Sequence, residues 1–339
     1  MENREPPREQ FPITTISKKE KETRKMDFKE FIRGALCEPE AGDTVEYFNL
    51  KARVSGNVLT NAQRNIPSPA YAYEADITKF LEVYKEIKKD CGYHLSFNAL
   101  MMRVLVEGLK AAPRLNAHLQ YNHTASCGRL IVKKHIDVAM PIFLESGETF
   151  PIKVRGVEDK TLKEIAELTD NLIARVDKTN MDSLLFELIA QRMVGFMLKG
   201  KLISSVSQIV SGYFGKYKVA KLSGLFEKKA PRDPESLEPL DMNEGTVCLT
   251  NWGPLNDKIT GDVTYTPLLY PQVFLMAVGC IRDREFVFKN EEGVVDIGTK
   301  KVLPITLVFD HRIGGFADVM PFIRKLDEIF ENPEMIKEW

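Results

Sequence analysis

Histidine and cysteine are scarce in this chain, five of each in 339 residues. The cysteines, Cys37, Cys91, Cys127, Cys248 and Cys280, stand far apart. They form no CxxC pair and no metal-ligand spacing, so no metal site is expected. Scattered, unpaired thiols read as reduced, and the expected compartment is the cytoplasm. Excess charge of one sign is also missing. A net charge of −1 offers no broad attraction to nucleic acid or anionic membrane, and no nucleic-acid partner is expected. No apolar run reaches the roughly 18 residues of a spanning helix. The opening MENREPPREQ lacks the apolar core of a secretory signal. There is no GxGxxG, no P-loop sequence and no internal repeat.

What is present is an ordinary globular composition, 44% hydrophobic and 28% charged. Residues 1–45 are polar and read as an N-terminal arm, with one short helix over Met26 to Leu36. Beyond them strands and helices are interleaved. Ala70 to Ala75 alternates like a strand. Asp76 and Thr78 are candidate caps for a helix over Lys79 to Lys89. Ala99 to Ala111 is an apolar helix ended by Pro113. Ala117 to Tyr121 and Arg129 to Val132 read as strands around a polar turn. Ile136 to Phe143 and Phe150 to Val154 follow as strands, and Thr161 to Val176 as a helix. Later strands are expected at Thr246 to Thr250, Val263 to Tyr265, Val273 to Ile281, Glu285 to Lys289 and Val302 to Phe309. The last helix runs from Val319 to Phe330. The interleaving is not in regular βαβ units, so the fold class is α+β, a mixed-sheet sandwich.

The stretch Asp310-His311-Arg312-Ile313-Gly314-Gly315-Phe316-Ala317-Asp318 stands between the last strand and the last helix. A histidine at a strand end, flanked by a carboxylate and two glycines, can be held rigid while a substrate approaches closely. Its ordinary pKa, roughly 6.5, suits proton transfer near neutral pH. The same nine residues fit equally well a structural histidine that closes a strand end.

Asp310-His311-Arg312 resembles the DHR signature of the 2-oxoacid dehydrogenase acyltransferases, the dihydrolipoamide acyltransferases, which are related in fold to chloramphenicol acetyltransferase. Leu249-Thr250-Asn251-Trp252-Gly253 resembles that family's Ser-Asn-x-Gly segment, with Thr for Ser. Pro271-Gln272 with Leu275 to Gly279 resembles its Pro-Gln … Leu-Ala-Val-Gly strand. Asn65-Ile66-Pro67, Ser96-Phe97-Asn98, Pro113-Arg114-Leu115-Asn116-Ala117 and His135 to Ala139 match further upstream places in order. The resemblance covers about residues 60–183 and 240–339. It implies a catalytic domain over 46–339, built as a two-layer mixed-sheet sandwich. It implies a homotrimer with His311 of one subunit facing Thr250 of the next. His311 would be general base toward a thiol of coenzyme A or a lipoyl-type acceptor, and Thr250 would be the oxyanion donor. Asn251 and Asp310 would support them, Asn251 by ordering the turn and Asp310 by helping to position His311. Coenzyme A enters as a substrate, and no metal is implied.

The chain departs from the family pattern in three places. Gly315 and Phe316 stand where the family has Asp-Gly, which bears on activity. Asp318 corresponds to a later acid of the helix. No lipoyl attachment domain is expected ahead of the core, so a separate lipoyl protein or dehydrogenase would be the partner, or the acceptor is another small molecule. Residues from about 184 to 239 read as a helical insertion. It is rich in apolar residues, with Lys199, Lys201, Lys216, Lys218 and Lys221 beside them. Packing on the core or on a neighbouring subunit is the plain reading; the sharper one is a lid, or a surface that receives a long acyl chain or touches membrane. A degenerate trimeric scaffold, or an acyl- or CoA-binding protein, is the alternative to an enzyme.

Overall fold

The computed structural model describes residues 39–143, 149–198, 233–242, 245–253, 263–289 and 293–339, with 207, 210, 212–214 and 218. The chain divides into two compact units, Met1–Tyr47 and Phe48–Trp339. Only 39–47 of the first is described, so the helix expected at Met26 to Leu36 lies outside the described residues.

The second unit opens with α1 (Leu50–Asn65), a helix the sequence reading left unassigned; Asn49 caps it by accepting from Ala52 N–H at 2.8 Å. Strand β1 (Ala70–Asp76) leads into α2 (Thr78–Asp90). Asp76 Oδ1 accepts from both Thr78 N–H and Thr78 Oγ1, at 3.1 and 2.8 Å. Next come α3 (Phe97–Ala111), capped by Ser96, and the strands β2 (Ala117–Asn122) and β3 (Cys127–Val132). Strands β4 (Val138–Phe143) and β5 (Thr149–Val154) precede α4 (Leu162–Val176), which starts with a Thr161–Glu164 capping box. Helix α5 (Met181–Leu198) enters the expected insertion. Strands β6 (Val247–Asn251), β7 (Phe274–Val278), β8 (Arg282–Lys289) and β9 (Val295–Phe309) and helix α6 (Phe316–Glu331) complete the unit.

Seven strands form one mixed sheet in the order β1-β9-β7-β6-β4-β5, with β8 paired to the first half of β9. Strands β6 and β7 run parallel, while β7 and β9 are antiparallel. Strands β2 and β3 form a separate hairpin. The period of two along each strand divides its side chains between two cores. Leu249, Phe274, Met276, Val278, Ile305, Leu307 and Phe309 face the larger core with α2, α3, α4 and α6. Cys248, Leu275, Ala277 and Val308 face a smaller one with Ala62, Ile66 and Leu268. Helices α3 and α6 approach closely at Gly108, where a Cβ would stand 2.4 Å from the Phe322 ring.

Three expectations change. Residues 263–265 form no ladder; this stretch lies extended, with Thr306 Oγ1 donating to Val263 C=O at 2.5 Å. Strand β9 begins at Val295, seven residues before its expected start, because 295–302 pair with β8 as a hairpin. The chain is also back in the core before 239: Leu237 is 1% exposed, and the buried Asp241 carboxylate pairs with Arg155 and Arg175 at 3.1 and 3.0 Å. In the expected insertion, Val194, Val210 and Phe214 are exposed. Most of its other apolar side chains lie outside the described residues. Among the described residues no helix is long and apolar enough to cross a membrane.

Candidate active site

The C-terminal end of β9 delivers the DHR stretch. Asp310 N–H donates to Val273 C=O at 2.9 Å and His311 N–H to Pro67 C=O at 2.8 Å. The turn then closes through Ile313 N–H to Asp310 C=O at 3.1 Å, and α6 starts after Gly315. Helix α6 therefore begins three residues earlier than expected, and Phe316, Ala317 and Asp318 are its first turn.

His311 is exposed, and its Nδ1 lies 3.0 Å from the Gly314 carbonyl oxygen. A carbonyl can only accept, so Nδ1 carries the proton and Nε2 keeps a lone pair free for an incoming proton. Asp310 does not perform this task. Its carboxylate, 1% exposed, takes Arg312 Nε at 2.9 Å, an Arg312 terminal nitrogen at 2.5 Å and Arg312 N–H at 3.0 Å. The Arg312 guanidinium also sits 5.1 Å from the centre of the Tyr121 ring. Asp310 thus builds the turn through a buried, forked ion pair, and the imidazole is held by Gly314.

Gly315 has φ −109° and ψ −166°, an extended backbone that any residue adopts, and nothing lies within 4 Å of a Cβ placed there. Its N–H donates to Asp318 Oδ2 at 3.1 Å. Arg114, just past the end of α3, donates to Ile313 C=O at 2.7 Å and pairs with Asp318 at 3.4 Å. Arg114 entered the sequence reading only as part of a matching segment. Its partner carbonyl is 199 positions away, and no local pattern announces such a contact.

Thr250 lies on β6, 6% exposed, and its hydroxyl has no hydrogen-bond partner among the described residues. The next residue, Asn251, is held on both sides of its amide. Its Nδ2 donates to Asn98 Oδ1 at 2.6 Å, and its Oδ1 accepts from Gly253 N–H at 2.9 Å. The sheet register sets Thr250 opposite Ala277, and Ala277 opposite Thr306. His311 is five residues beyond Thr306, or about 16 Å along the strand direction. Two further strand spacings, about 10 Å, separate them sideways. The two groups therefore occupy opposite ends of the sheet within one chain.

Of the remaining histidines, His123 meets the Tyr121 ring edge-on with centres 5.0 Å apart, and the other three have polar partners. His135 pairs with Glu158 and His94 with Asp170 at 2.9 Å. His118 lies within β2; its Nε2 is 3.0 Å from Gly245 C=O, which also accepts from Gln272 Nε2 at 3.1 Å. Among the described residues no group of three or more His, Cys, Asp or Glu side chains is placed to hold a metal ion.

Residues 40–183 and 227–337 match the sequence model of the 2-oxoacid dehydrogenases acyltransferase (catalytic domain) family; residues 184–226 are left unmatched. The dihydrolipoyllysine-residue acetyltransferase component of the pyruvate dehydrogenase complex of Mycoplasma genitalium is 24% identical over 81% of this chain and 54% of its own length. The chain spans about half the length of the curated relatives it matches. Among solved structures, the cubic core of the pyruvate dehydrogenase multienzyme complex superposes with a TM-score of 0.55 at 17% identity, over 87% of this chain and 95% of that one. The Azotobacter vinelandii dihydrolipoamide acetyltransferase, in which a serine, a histidine and an asparagine have been investigated for roles in catalysis, gives 0.55 at 16% identity over the same shares. These likenesses fix the fold as α+β, the architecture of those cores.

Proposed function

The chain belongs to the 2-oxoacid dehydrogenase acyltransferase family, and from that premise we propose that it moves an acyl group between coenzyme A and a thiol. The thiol is of lipoyl type, or belongs to another small acceptor. The observation that carries this reading is His311 itself: exposed, with its Nδ1 proton committed to Gly314 and its Nε2 free. A thiol titrates near roughly 8.5, so at neutral pH it needs a base to become a nucleophile. His311 Nε2 takes the S–H proton, and the sulfur attacks the thioester carbonyl. The C=O π pair moves onto oxygen. As the tetrahedral intermediate collapses, the C–S bond to the departing thiolate breaks, and the imidazolium returns its proton to that sulfur. No acyl-enzyme is required.

Thr250 is the proposed donor to the oxyanion. Its hydroxyl bonds to nothing among the described residues, so it can donate without first giving up another partner. The Azotobacter vinelandii study concerns a serine, a histidine and an asparagine four positions beyond that histidine. Thr250 and His311 take the places of the first two by the matching segments, and the third place holds Gly315. Because Thr250 and His311 lie at opposite ends of one sheet, they meet only across a contact between copies of the chain, and the proposed unit is a homotrimer. Assembly into a larger core, with a separate lipoyl protein or a dehydrogenase as partner, belongs to the same proposal. The proposed compartment is the cytoplasm, where the thiols of Cys91, Cys127, Cys248 and Cys280 would stay reduced.

One observation favours a second reading, a degenerate trimeric scaffold or CoA-binding protein: Gly315 contributes no side chain where the family carries an acid or amide. Thiol release from a panel of acyl-CoA thioesters separates the two. Replacing His311 by Ala is expected to lower the rate by about 10²–10⁴-fold. Equal rates for both proteins overturn the enzyme reading. Calorimetric binding of CoA without turnover would leave the binding protein.

A further inference from the structure

We propose that Arg114 and Asp318 are positioning residues for His311, locking the single peptide unit whose carbonyl orients the imidazole. The inference rests on the reading of His311 as the base. The Gly314 C=O and the Gly315 N–H belong to one planar peptide group, so they point in opposite directions and turn together. The C=O accepts the imidazole Nδ1–H at 3.0 Å. The N–H donates to Asp318 Oδ2 at 3.1 Å. Holding the N–H end therefore fixes the direction of the C=O end.

Such a hold is needed here. Two successive glycines give this plane more freedom to turn than any other pair of residues would. Position 314 must be glycine for the carboxylate to come this close, since a Cβ there would stand 2.0 Å from Asp318 Oδ2. Arg114 anchors the same turn from outside. It donates to the Ile313 carbonyl, in the preceding peptide plane, at 2.7 Å, and it pairs with the other Asp318 oxygen at 3.4 Å. Ile313 is buried, so the turn is held by its side chain below and by Arg114 above. The negative charge on Asp318 further polarises the peptide and strengthens its carbonyl as an acceptor. The chain of contacts runs from Arg114 through Asp318 and the 314–315 peptide to His311, and it leaves Nε2 pointing away. Gly315 has no side chain that could do this work directly, so the backbone does it.

The test compares wild type with Asp318→Ala, Arg114→Gln and Arg114→Lys. ¹⁵N NMR of the imidazoles reads the His311 tautomer, with His311→Asn used to assign its signals among the five histidines. Wild type is expected to show the neutral ring protonated at Nδ1. Asp318→Ala and Arg114→Gln are expected to show both tautomers and a kcat lower on the order of tenfold, with KM for CoA unchanged. Arg114→Lys, which keeps the positive charge, is expected to recover part of both. If Asp318→Ala does not fold, the pair of Arg114 variants decides. A wild-type tautomer population in Arg114→Gln or Asp318→Ala overturns the proposal, as does a loss confined to KM. A wild-type chain with no acyl transfer fails the functional reading separately, because the tautomer comparison still reports whether the clamp exists.

Discussion

The two ends of the central sheet are built on different terms. At the β9 end, His311, Asp310 and Arg312 are tied by short-range hydrogen bonds within one turn, and Arg114 ties that turn to the far side of the chain. At the β6 end, Thr250 is packed just as tightly, yet its hydroxyl is left unused. Asn251, its neighbour in sequence, points to the other face and has both amide atoms engaged. One end thus has its polar groups satisfied, His311 Nε2 apart, before any ligand arrives. The other keeps one hydroxyl in reserve. A base must be oriented before it reacts, whereas an oxyanion donor works best when nothing competes for its proton. The contrast predicts that breaking the Asp310–Arg312 pair at the β9 end acts first on folding, and that a substitution at Thr250 acts on rate alone.

The largest effect is expected from Asp310→Ala. It leaves the Arg312 guanidinium, with a side chain only 15% exposed, without its counter-charge. Breaking one partner of a buried ion pair costs about 3–5 kcal/mol. Urea unfolding followed by circular dichroism should show the midpoint fall with no change in slope. A loss below about 1 kcal/mol, the range of exposed pairs, would show that water shares the site and that the β9 end is not the rigid one.

Thr250→Val comes next. Valine matches threonine in shape and removes only the hydroxyl, which bonds to nothing among the described residues. Stability should stay within about 0.5 kcal/mol of wild type. The acyl-transfer kcat/KM should fall by about 10²–10³-fold. Equal losses of stability and rate would show that the hydroxyl is structural, and the two ends of the sheet would then be alike.

How much of this was legible in the sequence depends on the range of the contacts. Strands buried on both faces, such as VCLTN and FLMAV, announce themselves by continuous apolar runs, and their ends fell within a few residues of expectation. Helix α4 was readable because Thr161 and Glu164 form a local capping box. Helix α1 was not, because its Gly56, Ser55 and several Asn residues are weak helix formers; only Asn49, its cap, marked the start. The first half of β9, VDIGTKK, carries too many polar and small residues to read as strand until β8 is folded against it. At the site, His311 was found from its own neighbours. Arg114 could not be, since its role depends on a carbonyl brought to it by the whole fold.

The smallest effect, and the one that sharpens the contrast most, is expected from Gly315→Asn. The backbone there is extended and a Cβ meets nothing within 4 Å, so the side chain enters without strain. The position is the N-cap of α6, where Asn is favoured over Gly by only a few tenths of a kcal/mol. Thermal unfolding should therefore shift upward by a degree or so, about what a few tenths of a kcal/mol produces in a chain of this size. On the proposed reading, the new amide would take the place of the asparagine four positions beyond the histidine in the Azotobacter vinelandii protein. If Gly314, Asp318 and Arg114 already orient the imidazole, a further hydrogen-bonding group adds little, and kcat/KM should change by less than about twofold, roughly 0.4 kcal/mol of barrier. A tenfold rise would mean that the ring is loose in the native chain, that the missing side chain limits the rate, and that the β9 end, for all its hydrogen bonds, waits on a ligand as much as the β6 end does.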